Sequence, residues 1–151
     1  MTRTATWSRH GILLAAIVIA AACTNPYADD DSHEHADGVR VEHLGTTLVT
    51  VHEDEVTGSL SVAAGDTLGP LTVVFTDHHG EPIEVSAGYW MRPALAGSAA
   101  AFEQAEVGAF SGSLVGITPG QAELRFELLH GAVGHGHLEY RSAPIPVVVT
   151  E

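Results

Sequence analysis

Three imidazoles crowd into one glycine-rich stretch near the end of the chain, His130-Gly-Ala-Val-Gly-His135-Gly-His137. Neutral imidazole is a common ligand for zinc, copper and nickel and titrates near neutral pH, so such a cluster can hold a metal, sense pH, or do both. His135 and His137, one glycine apart, add little stability to a loop and make sense if something orders it. Of ten histidines only His10 falls in the N-terminal apolar segment, so nine remain in a short domain that has no lysine. His78, His79 and His52 supply further candidate ligands, and His33 and His35 form a secondary pair in an acidic stretch. Each group has a plainer role. His78-His79 would be solvated residues of a Gly-Pro turn, His52 a strand end, His130 a partly buried imidazole bonded to a carbonyl, and His33 and His35 solubilising sequence.

Ligand softness narrows the metal. Met91 is the single methionine after Met1, and Cys23 the single cysteine, so a cuprous thioether or thiolate site lacks its ligands. Zinc comes first, with cupric copper or nickel next. Calcium would suit the acidic excess, yet no EF-hand spacing occurs, and Asp29-Asp30-Asp31 reads as a solvated charge run.

Arg3 and Arg9 precede an apolar run from Gly11 to Ala22, and Ala20-Ala21-Ala22 leads into Cys23. That is the pattern of a secretory signal peptide over residues 1–22. Its twelve apolar residues fall short of the roughly 20 that a membrane-spanning helix needs. The placement of Cys23 resembles the lipobox of bacterial lipoproteins, with Ala20 where leucine is most usual. The resemblance implies that Cys23 becomes a lipidated first residue, and that Thr24 after it directs the protein to the outer membrane. Soluble secretion after Ala20-x-Ala22 is the alternative, which would leave Cys23 a free thiol.

Removal of residues 1–22 leaves four arginines against nineteen Asp and Glu, a net charge of −15. Nucleic acid and anionic headgroups are then poor partners, and cations the natural ones. Without a cysteine pair, the domain must rest on an ordinary apolar core. Residues 24–38 hold Asp29, Asp30, Asp31, Glu34 and Asp37 and almost nothing to bury, which is the composition of a flexible tether.

From Val39 onward, short apolar stretches alternate with Gly, Pro and Asp turns, and no segment keeps a helical period. The spacing predicts an all-β sandwich over residues 39–151, with an extra N-terminal hairpin at 39–52. Strands are expected at 39–44, 47–52, 59–63, 71–77, 84–91, 100–104, 110–115, 121–130 and 145–150. Residues 94–101 read as a loop or short strand. In the clearest case Ala122, Leu124, Phe126 and Leu128 share one face, while Gln121, Glu123, Arg125 and Glu127 share the other. Pro144 and Pro146 suggest that the last strand lies at a sheet edge.

Leu60-Ser-Val-Ala-Ala-Gly-Asp66, the run from Leu71 to Ile83 with Asp77-His-His-Gly-Glu-Pro82, and Gly116-Ile-Thr-Pro-Gly-Gln-Ala122 leading into a long strand together resemble a bacterial immunoglobulin-like domain of the group 2 type. The resemblance covers residues 58–150 and rests on turn motifs. It implies the sandwich fold and the role of a spacer in surface proteins, and it brings no catalytic residues. In that topology the His78-His79 turn and the loop 131–136 lie at one end of the sandwich, which the segment His52 to Glu55 also approaches.

The functional expectation is a non-catalytic envelope lipoprotein that binds or buffers a divalent transition metal, anchored through Cys23 and delivering to a metal transporter or another envelope protein. An immunoglobulin-like spacer or adhesion module with incidental histidines is the alternative. A zinc hydrolase using Glu53 or Glu139 as general base is the third reading, and it lacks an HExxH helix or any nucleophile motif.

Overall fold

The computed structural model describes residues 35–151; the signal-peptide segment, Cys23, His33 and most of the acidic tether lie outside them. The described chain is an all-β sandwich of two sheets. In chain order its strands are β1 (Gly38–His43), β2 (Thr46–His52), β3 (Glu55–Gly58), β4 (Leu60–Ala63), β5 (Thr67–Thr76), β6 (Tyr89–Ala96), β7 (Ala100–Gln104), β8 (Ser111–Gly116), β9 (Gly120–His130), β10 (His137–Arg141) and β11 (Ile145–Thr150).

One sheet has the order β3-β2-β1-β5-β8-β7. In the other, β9 is flanked by β6 on one side and by β10 and then β11 on the other, and β4 runs parallel to β11. The strands from β4 onward follow an immunoglobulin-like order, and β1 to β3 occupy the open flank of β5. The expected N-terminal hairpin is thus a three-stranded meander, and it begins slightly early, since Asp37 donates to Thr76 and accepts from Glu53.

Alternation builds the core. Ala122, Leu124, Phe126 and Leu128 of β9 and Ile145, Val147 and Val149 of β11 face Val39, Val41, Val49, Val51, Leu71, Val73, Phe75 and Leu114 of the opposite sheet, all buried. Each such side chain contributes roughly 1.5–3 kcal/mol on leaving water, which suffices without a disulfide. Phe102 meets Phe126 edge-on at 5.3 Å, and Phe75 meets Tyr140 at 5.9 Å. The second contact sets the ends of β5 and β10 against each other across the core.

Three expectations are corrected. The strand expected at 84–91 is β6, Tyr89–Ala96, because the turn through Gly80, Pro82 and Gly88 (φ 101°) uses up the earlier residues. Pro93 fits there because β6 has a single sheet partner, and an unpaired edge tolerates a missing amide. The last strand is no edge: β11 lies between β9 and β4, and Pro146 falls just before the stretch Val147–Thr150 that β4 pairs. Two short strands, β3 and β10, escape the sequence pattern because both are mostly exposed and lack an apolar stripe.

Candidate functional site

The end of the sandwich where β5 and β9 finish carries most of the candidate histidines. Register fixes their rows. In one sheet Gly38 lies opposite both His52 and Thr76; in the other, Tyr89, His130 and His137 lie side by side on β6, β9 and β10. Directly opposed residues of an antiparallel pair share a face with Cβ atoms about 4.5–5.5 Å apart. His130 and His137 are therefore adjacent imidazoles on one face.

His130 has the inward parity of Phe126 and Leu128 but is exposed, because β9 overshoots the core. The expectation of a partly buried imidazole is thus corrected. Its ring stacks on Tyr89 at 4.6 Å with a 26° tilt. A Cβ at position 88 would lie 3.4 Å from its Nε2, so Gly88 leaves the edge of the imidazole room. His130 and His137 are strand residues; of the three only His135 belongs to the loop 131–136.

That loop is ordered by its own backbone. The Gly131 amide donates to the Gly88 carbonyl at 2.8 Å, and the His135 amide to the Ala132 carbonyl at 2.8 Å. Gly136 comes down on the Trp90 indole: a Cβ there would sit 2.7 Å from Nε1. Trp90 is buried, and its Nε1 has no acceptor among the described residues.

The His78 and His79 rings touch in the turn after β5, their centres 3.8 Å apart and their planes tilted by 44°. Asp77 holds that turn by accepting from the amides of His79 (2.8 Å) and Glu81 (2.9 Å). Desolvation, the largest single influence, pushes the Asp77 carboxyl up, but those two amides and the neighbouring imidazoles outweigh it and hold the pKa below 3.8. His52 is half-buried at the end of β2 and His35 is exposed ahead of β1. His43 stands apart, its Nδ1 3.1 Å from the Pro70 carbonyl oxygen.

The topology thus brings His52, His78-His79, His130 and His137 to one end, as expected, but only as separate groups. Among the described residues no three His, Cys, Asp or Glu side chains are gathered for a metal. Glu53 is exposed in the β2–β3 turn with φ 53°, and Glu139 is exposed at the bulge of β10, so neither faces an assembled centre. Tyr89 went unnoticed in the sequence because the register of β6 was set several residues early; no spacing signal marks it.

Beneath this end, the hydroxyl of Tyr140 is buried without a hydrogen-bond partner among the described residues. Burial first, then the charges of Asp37 and Asp54, push its pKa up to about 12. An unfolded tyrosine ionises near 10, so the unfolded chain releases its proton first and stability falls as pH rises from 10 towards 12. Solvent around this partly buried ring screens the effect, so the loss is about 1–2 kcal/mol. An ultraviolet titration should show one late tyrosine, and Tyr140→Phe should abolish both that step and the alkaline loss. A full tyrosine titration complete by pH 11 would contradict the burial.

No protein-family model matches this chain, and no curated protein is significantly similar to it.

Proposed function

We propose that the protein is a non-catalytic, exported lipoprotein that binds a divalent transition metal, with His130 and His137 as the primary ligands. The supporting observation is the β9–β10 register, which sets these two imidazoles directly opposite each other. Two nitrogens on one metal at about 2.0–2.1 Å need to approach within roughly 3.3 Å of each other, which opposed strand positions permit. Two protein ligands leave coordination positions open. His135 on the intervening loop can supply a third by a local rearrangement, and water or a recipient protein the rest. An open, two-imidazole site suits a buffer that releases its metal, in keeping with delivery to an envelope transporter. Zinc remains the assigned cargo, while in solution cupric copper should bind most tightly, following the general affinity order.

The immunoglobulin-like strand order equally supports a spacer or adhesion module with incidental histidines. Calorimetric titration of zinc and cupric copper into the full chain separates the two. The expected result is one saturable site that is lost in His130→Ala/His137→Ala, kept in His78→Ala/His79→Ala, and weakened by acid, since the ligands must be neutral. Weak binding indifferent to the first pair would leave the spacer.

A further inference from the structure

The sequence after residue 22 contains four arginines, and three of them, Arg92, Arg125 and Arg141, stand on the outer face of the sheet built by β6, β9, β10 and β11. Two are fixed in an unusual way. Glu127 between them accepts from Arg92 Nε through one oxygen (2.5 Å) and from Arg141 Nε through the other (2.7 Å). The glutamate is buried, with 5% of its side chain exposed, while each arginine is 52% exposed. Held by the inner nitrogen, each guanidinium keeps its two terminal nitrogens clear, and these make no hydrogen bond among the described residues. A planar fork fixed in this way is ready for a carboxylate, which it can engage with two parallel bonds. Arg125 is held on the same face by its bond to the Ser142 carbonyl at 3.0 Å.

Below the arginines the same face opens into a groove of about 470 Å³. Ala96 and Gly97 at the end of β6 leave space that Pro144, Pro146 and Val148 wall off across β9, whose Gln121 and Glu123 add a polar strip to the lining. Since β9 has neighbours on both sides, a ligand here lies on the sheet face and adds no strand. From Glu127 to Gln121 the surface extends roughly 20 Å at about 3.4 Å per residue, the length of a six- or seven-residue extended peptide.

We propose that this face binds an extended segment of a partner protein, with acidic side chains at the arginine end and small apolar or proline side chains in the groove. Charge complementarity selects the acidic end, because there Arg92, Arg125 and Arg141 outnumber Glu127, while the rest of the described chain is crowded with carboxylates. The net charge of the protein opposes such a partner at long range, but ionic screening over about 8 Å at physiological salt leaves the local guanidiniums to decide. The groove, with apolar walls at Ala96, Pro144, Pro146 and Val148, selects a polypeptide over a simple anion, which would use the arginines alone.

The test is fluorescence anisotropy of the full chain with a labelled seven-residue peptide, three aspartates followed by valine, proline, alanine and valine, at 0.15 M salt. Saturable binding is expected, at least tenfold weaker for the same peptide with lysines in place of the aspartates. Ala96→Trp, at an exposed position, fills the groove without touching the core and should weaken binding at least tenfold. Arg92→Leu/Glu127→Leu/Arg141→Leu removes the fork and should do the same. If that variant fails to fold, Ala96→Trp decides by itself. Absence of saturable binding, equal binding of the lysine peptide, undiminished binding by Ala96→Trp, or complete displacement by equimolar inorganic phosphate would each overturn the proposal.

Discussion

Glu127→Gln is expected to destabilise the fold by about 2–3 kcal/mol at pH 7, read as a lower urea midpoint with an unchanged slope. Removing one member of a buried ion pair costs about 3–5 kcal/mol, because the remaining charge is left desolvated. Here the discount comes from the arginines, which are half in water and recover part of their hydration. Glutamine keeps the shape but offers a single acceptor oxygen to two guanidiniums, and its amide turns a donor towards the other.

The pH dependence of the unsubstituted protein carries the same information. Burial, the largest single influence on Glu127, pushes its carboxyl up, but the bonds and charges of Arg92 and Arg141 outweigh it, and the pKa lies below the ordinary 4.5. The folded state therefore holds this proton less tightly than the unfolded chain. The stabilisation is complete above about 4.5 and is lost as pH falls through the lower folded value. Glu127→Gln should flatten that acid limb, whereas Arg92→Leu/Glu127→Leu/Arg141→Leu should flatten it with little loss at pH 7, because an apolar replacement of a buried ion triad is often neutral. A Glu127→Gln variant within 0.5 kcal/mol of the parent would show that water, and no ion triad, satisfies these groups.

The sandwich was legible because its signal is a period of two carried by residues that must be buried. β9 reads correctly from Gln121 to His130 since Ala122, Leu124, Phe126 and Leu128 all reach the core, and β7 and β11 read correctly for the same reason. Where burial ends, the signal ends: β10 exposes most of its residues and carries a bulge after Leu138, so nothing in His137 to Arg141 alternates. That gap hid the main feature of the candidate site. Without β10 the three histidines belong to one floppy loop; with it, His137 is the cross-strand neighbour of His130. The Arg92–Glu127–Arg141 row was hidden likewise, since it joins three strands of which one was shifted and one missed. Topology was the more dependable guide, and it brought His52 and His79 to the same end as His130, though no rule of strand order could say how far apart they would remain.

The glycines of the His-Gly-His stretch test which reading of that loop is right, because two of them occupy different physical situations. Gly136→Ala is expected to cost about 1–3 kcal/mol, the range for inserting a methyl where there is no room. Its Cβ would meet Trp90 Nε1 at 2.7 Å and the His130 carbonyl oxygen at 2.9 Å. Neither can yield, one being part of a buried ring and the other backbone, so the loop must lift. His137 is the next residue, and lifting it breaks its opposition to His130. Metal affinity should fall on the order of tenfold, equivalent to 1.4 kcal/mol, and the fluorescence of Trp90, the sole tryptophan after residue 22, should shift to the red as the indole is wetted. Gly134→Ala is the counterpart: its φ of 87° makes an alanine costly by about 1–2 kcal/mol, but no atom lies within 4 Å of the new methyl. It should lower stability while leaving both metal affinity and fluorescence unchanged. Were the two variants to weaken metal binding equally, flexibility of the whole loop and not the strand register would set the site; were neither to weaken it, the opposed pair His130 and His137 would not be the ligands.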